Sequence, residues 1–241
     1  VQHPVVQQAV ALVLALLCEG TRVDVAQAAR PFVVDDARVV DPGACQVESW
    51  FKRNPSSHEL WALPACNVRG FELTAGAGAL HDSSPAGTDA RDYQFQLKSL
   101  LREIPADGWG IGYAVGAVRH ADINLRQNLL ANYYGHVLAS RAIPALDLVL
   151  LTSVGGIENR QERRAGVTWG VGAEYYLRPS FLLLAETYGA TGFDRFAQMG
   201  TRWWLVPDHV QVDASYGWQL NGIDRTEWVT IGLRLISKPF F

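Results

Sequence analysis

Residues 210–220 read Val-Gln-Val-Asp-Ala-Ser-Tyr-Gly-Trp-Gln-Leu. Val210, Val212, Ala214, Tyr216, Trp218 and Leu220 fall on one face of an extended chain, and Gln211, Asp213, Ser215, Gly217 and Gln219 fall on the other. Strict alternation is the mark of a β-strand between two different environments. The same period recurs upstream. Val167, Trp169, Val171, Ala173, Tyr175 and Leu177 alternate with Thr168, Gly170, Gly172, Glu174 and Tyr176. Tyr93, Phe95 and Leu97 alternate with Gln94, Gln96 and Lys98, and Val229, Ile231, Leu233 and Leu235 alternate with Thr230, Gly232 and Arg234.

Twelve strands are expected, at about 44–53, 58–66, 69–80, 91–102, 109–119, 123–135, 145–155, 165–177, 180–189, 195–205, 209–220 and 226–236. A soluble sandwich shares this period, so the solvent must be decided otherwise. Many of these segments exceed the five or six residues usual in soluble strands and suit tilted membrane strands. The apolar face carries little charge, with aromatic residues near strand ends at Trp109, Tyr175, Trp203, Trp218 and Trp228, where rings prefer the lipid-water boundary. Tight turns at Asn67-Val68, Arg178-Pro179 and Pro207-Asp208 oppose longer connections at 82–90, 156–164, 190–194 and 221–225. Short turns on the periplasmic side and long loops outside are the asymmetry of outer-membrane barrels. The connections at 104–108 and 136–144 are longer than this scheme wants.

Composition agrees with a two-faced sheet. The chain of 241 residues is 49% hydrophobic and 19% charged, with 22 glycines, eight tryptophans and a net charge of -3. Its longest apolar run, Ala9 to Cys18, stops at Glu19, too short for a membrane helix. The charge balance argues against a nucleic-acid partner, which calls for a basic face. Residues 1–28 read as a signal peptide, with an apolar stretch at 9–17 and small residues at Ala26 and Ala28, and 29–43 as a periplasmic segment before a barrel at 44–241. The alternative for the first segment is a helix docked on the domain.

A hairpin turning at Asn54-Pro55-Ser56-Ser57 sets Cys45 opposite Cys66, Trp50 opposite Trp61 and Lys52 opposite Glu59. An exported chain favours a Cys45–Cys66 disulfide, the alternative being two free buried thiols.

On these grounds the chain resembles a bacterial outer-membrane β-barrel, an all-β, antiparallel, up-and-down architecture. The terminal Phe241 after an alternating strand is similar to the signal such barrels present to the outer-membrane assembly machinery. Arg30-Pro31-Phe32-Val33-Val34-Asp35-Asp36-Ala37 resembles the opening of transport-like proteins of the phenol-degradation MetA-pathway family.

Extending the parity places Glu72, Lys98, Arg102, Arg126, Glu174, Glu186, Arg202, Asp213 and Arg234 on the inner face. Such a near balance of sign fits a salt-bridged plug or a narrow, weakly selective pore for small solutes. No catalytic constellation is expected. His81-Asp82-Ser83 has the spacing of the strand-borne histidine and serine of a lipid-modifying outer-membrane hydrolase, the alternative reading, but Ser84-Pro85-Ala86-Gly87 after it reads as loop. The six histidines show no metal-ligand spacing, and no cofactor motif occurs. Arg160, Arg163 and Arg164 form a cluster able to meet lipopolysaccharide phosphates, the alternative being a hydrated loop surface.

Overall fold

The computed structural model describes residues 32–83, 87, 89–119, 127–160, 162–222 and 226–241. The expected signal peptide at 1–28 and the lumen candidate Arg126 lie outside the described residues. The strands are β1 (Cys45–Arg53), β2 (Ser57–Val68), β3 (Phe71–Asp82), β4 (Ala90–Arg102), β5 (Gly108–Val118), β6 (Tyr133–Ile143), β7 (Leu148–Asn159), β8 (Arg164–Arg178), β9 (Phe181–Ala190), β10 (Arg195–Val206), β11 (Val210–Gln219) and β12 (Glu227–Ile236). Each pairs antiparallel with its neighbour in sequence, and β1 pairs with β12 to close a barrel. A 3-10 turn, Pro144–Leu146, joins β6 to β7.

Closure leaves no free strand edge, so every ladder hydrogen bond is made within the sheet. The exterior is apolar. Leu60, Phe95, Val137, Val154, Val171 and Ile231 are all at least half exposed and are spread around the wall on separate strands. A continuous apolar belt of this kind is far larger than a soluble monomer presents and belongs in a bilayer.

The start of β1, the end of β12 and the C-terminal Phe241, which lies beside Gly43, share one end of the barrel, called here the terminal end. Its connections are short: Arg69 and Gly70 take positive φ angles of 54° and 89° in a two-residue turn, the backbone that matches hairpin twist. Pro179-Ser180 and 207–209 make the other tight turns, so the expected turns at 67–68 and 178–179 sit one or two residues early. At the opposite, loop end lie the connections 54–56 and 191–194 and the described parts of those that follow β3, β5, β7 and β11.

The expected β1–β2 register holds throughout: Cys45 pairs with Cys66, Trp50 with Trp61 and Lys52 with Glu59. The cysteines are joined as a disulfide.

Three expectations change. The strand expected at 123–135 is displaced: β6 begins at Tyr133 and uses the stretch expected to be a connection. Asn128 accepts a hydrogen bond from the Leu130 amide and Asn132 donates to the Val118 carbonyl, local bonds that compete with a strand. Trp228 lies on the inner face, 3% exposed, rather than among the lipid-facing rings. Its parity is that of Thr230, Gly232 and Arg234, and that parity wins.

The third change concerns the segment before β1. Of residues 29–43, expected in the periplasm, those at 32–40 lie inside the barrel, with Val34, Ala37 and Val40 at most 1% exposed, while Asp41 and Pro42 are exposed at its end.

Candidate functional site

The lumen is built from the even-numbered residues of β1 and the matching parity of every other strand. Its terminal half is filled by residues 32–41. Because a lone strand inside a barrel has no ladder partner, each backbone amide must find a side chain. The Glu186 carboxylate accepts from the amides of Val33 and Val34, both at 2.9 Å. Ser140 Oγ accepts from the Ala37 amide at 2.9 Å, and Glu72 Oε2 from the Val40 amide at 3.1 Å. Asn67 Nδ2 donates to the Val40 carbonyl at 2.6 Å.

Charge completes the attachment. Lys98 Nζ lies 2.7 Å from Asp35, and Arg38 Nη1 bridges Asp36 at 2.7 Å and Glu174 at 2.8 Å. Glu174 also accepts from Arg202 Nη1 at 3.0 Å, and Arg202 Nε donates to Asp213 at 2.7 Å. Burial works against the Arg38 charge, but the Glu174 and Asp36 carboxylates outweigh it and hold the guanidinium above its ordinary range. On the apolar side, Phe32 and Val34 join a small core with Leu151, Leu182, Leu184, Tyr188 and Phe196. The wall opposite this segment is therefore apolar inside as well as outside, which is why alternation is weak along β6, β7 and β9.

Of the nine residues placed inward by parity, Glu72, Lys98, Glu174, Glu186, Arg202, Asp213 and Arg234 are buried on the inner face. Four of them, Glu72, Lys98, Glu174 and Glu186, bond residues 32–41 directly. Arg102 does not join them. A register shift between Leu100 and Arg102 turns it outward, where its guanidinium stacks 4.1 Å over the ring of exposed Trp109.

Beside this segment lies a cavity of about 100 Å³, room for several waters, which extends from Gln46, Glu72 and Arg234 up to Trp50, Glu59 and Gln127 in the loop-end half. Its carboxylates Asp35, Glu48, Glu59 and Glu72 are matched by Arg38, Lys52, Lys98 and Arg234. Amides from Gln46, Gln94, Gln96, Gln127 and Gln198 fill much of the remaining lining. Residues 127–130 fold in from the long β5–β6 connection, held by Tyr188 OH donating to the Gln127 carbonyl at 2.8 Å.

Three indoles line the same cavity. Trp50 and Trp61 have centroids 5.7 Å apart and planes only 12° from parallel. Trp61 Nε1 donates to Glu59 Oε2 at 3.1 Å, and Trp228 Nε1 to Gln198 Oε1 at 3.2 Å. Each faces a glycine across the sheet: Trp50 is opposite Gly232, Trp61 opposite Gly78, and Trp228 opposite Gly217. A Cβ added at Gly78 or Gly217 would come within 2.3 Å of the neighbouring indole. The glycines let wide rings lie along the wall instead of crossing the lumen.

His81 and Ser83 are not assembled into a reactive pair. His81 is half-exposed on the outer face, its Nδ1 lies 2.5 Å from Asp89, and its ring packs 4.8 Å from that of His58. The Ser83 amide donates to the Ser56 carbonyl. Among the described residues no His, Cys, Asp and Glu group is arranged to hold a metal ion.

Closed barrel, apolar belt and polar lumen are the fold of bacterial outer-membrane β-barrels. The chain belongs to the family described as Uncharacterised conserved protein UCP029691. The match spans residues 13–236. It lends no support to the phenol-degradation resemblance of residues 30–37. No curated protein sequence matches the chain. Among solved structures, it is similar to a KdgM porin at 9% identity, with a TM-score of 0.57 over 79% of this chain and 98% of that one. It is also similar to the COG4313 outer membrane channel from Pseudomonas putida F1, at 11% identity and a TM-score of 0.56 over 84% of this chain and 98% of that one.

Proposed function

We propose that this family member is an outer-membrane channel for small polar solutes, held closed by its own residues 32–41. The observation that carries this reading is the lumen itself. A barrel meant only as a scaffold can be filled by wall side chains, as small barrels are. Here the wall leaves a polar cavity at the loop end, and the terminal half is closed by a separate piece of chain attached through side-chain bonds. The fold shared with a KdgM porin and an outer membrane channel agrees with it.

In this reading the terminal end faces the periplasm, the loop end faces outward, and the apolar belt meets outer-membrane lipid. Arg160, Arg163 and Arg164 at the loop end would then meet lipopolysaccharide phosphates, and the C-terminal strand would be the part the assembly machinery engages. Passage is passive diffusion through hydrated amides and paired charges, with no cofactor and no catalytic step.

A second reading, a closed barrel whose outer loops do the work, is favoured by the same filled lumen. Planar-bilayer recording separates the two. The purified protein is expected to give rare, small steps, and a variant weakened at Asp35→Asn and Arg38→Ala larger and more frequent ones. Silence from both folded proteins would discard the channel.

A further inference from the structure

We infer that the loop-end cavity is a binding site for a neutral pyranose sugar. This deepens the channel reading and rests on it for the direction in which the sugar travels. Trp50 and Trp61 present nearly parallel indoles to the cavity, and Trp50 is only half-buried. A pyranose ring has one face of C–H bonds that packs on such a surface and a rim of hydroxyls that each donate and accept hydrogen bonds.

The rim finds what it needs. Glu59 Oε1 and Gln127 Oε1 are buried acceptors in this lining that receive no hydrogen bond, on residues 2% and 1% exposed. The nearest cation to Glu59 Oε1 is Lys52 Nζ at 3.7 Å, too far for a good bond. A buried acceptor left without a donor costs free energy, and a sugar hydroxyl would remove that cost as the Glu59 or Gln127 side chain turns its oxygen toward the cavity.

Net charge decides the class of ligand. The lining has as many carboxylates as cations. An acidic or cationic solute would leave an unmatched charge in a low-dielectric lumen, whereas an uncharged one leaves the pairing intact. A flat aromatic solute would stack on the same indoles but would bring too few donors for Glu59 and Gln127.

The test is equilibrium dialysis of radiolabelled glucose and cellobiose against the folded protein in detergent, followed by bilayer recording on the same preparation. Saturable binding is expected, with at least tenfold weaker affinity in Trp50→Ala, partial recovery in Trp50→Phe, and no competition by glucuronate or glucosamine. Glu59→Gln keeps an acceptor, removes the charge and should lose less than Trp50→Ala. A variant counts only if its gel mobility still shifts on heating, the sign of an intact barrel. No saturable binding of either sugar, binding indifferent to Trp50→Ala, or equal competition by the charged sugars would overturn the assignment. Conductance steps without sugar binding would remove the site and leave the channel; sugar binding with both the wild-type protein and the Asp35→Asn, Arg38→Ala variant silent would keep the site and remove the channel.

Discussion

Glu174 shows how much a single lumen residue can hold. It is fully buried and bonds Arg38, Arg202 and the Tyr176 hydroxyl at once. Removing its charge leaves two guanidiniums short of a partner in a dry interior. Glu174→Leu is expected to destabilise the barrel by about 3–5 kcal/mol, read as a lower midpoint in urea unfolding. Gly78→Val attacks from the opposite direction, because the new side chain meets the Trp61 ring. Overpacking of this sort costs roughly 1–3 kcal/mol and should displace the indole, visible as a shifted tryptophan emission maximum. Parity read from sequence put Glu174 on the inner face, because one step along a strand always changes face, and the turn at 54–57 set Trp50 opposite Trp61. It failed at Arg102 because a bulge inserts one residue, and nothing in Leu100-Leu101-Arg102 announces it.

At the scale of elements, the strands were legible wherever lipid lies on one side and water on the other, as in β8, β11 and β12. They were least legible in β6, where Leu138 and Ala142 are buried inside and Val137 and Ile143 look outward, so both faces are apolar. The cause is the segment 32–41, which demands apolar partners from the wall it packs on. In retrospect its own sequence carries the signal: Val33-Val34 and Val39-Val40 flank an Asp-Asp-Ala-Arg core, which suits neither a lipid-facing strand nor a solvated linker. This segment is predicted to be the moving part. The Ala37 amide bonds Ser140, so Ala37→Cys with Ser140→Cys should cross-link it to β6. The oxidised double variant is expected to be silent in bilayers and to regain steps when reduced; steps that persist with the cross-link in place would show that solutes bypass the segment.

For the whole molecule, closure distributes stability around the wall, and the Cys45–Cys66 bond sits where the chain enters it. Its loop of 21 residues bounds the stabilisation at about 3 kcal/mol. Cys45→Ser with Cys66→Ser should still fold, because eleven other strand pairings remain, and should melt at lower temperature by heat-dependent gel mobility. The bond also has a mechanical consequence. Gly43 lies just before Cys45, its φ is +81°, and its carbonyl accepts from the Phe240 amide beside the β1–β12 seam. Residues 32–41 therefore hang from a riveted point as a leash of roughly 35 Å when extended. An obstruction on such a leash can leave its seat without leaving the molecule. Its return is intramolecular, at an effective concentration in the millimolar range, so neither dilution of the protein nor spreading it thinly through a membrane would shift the balance between blocked and open.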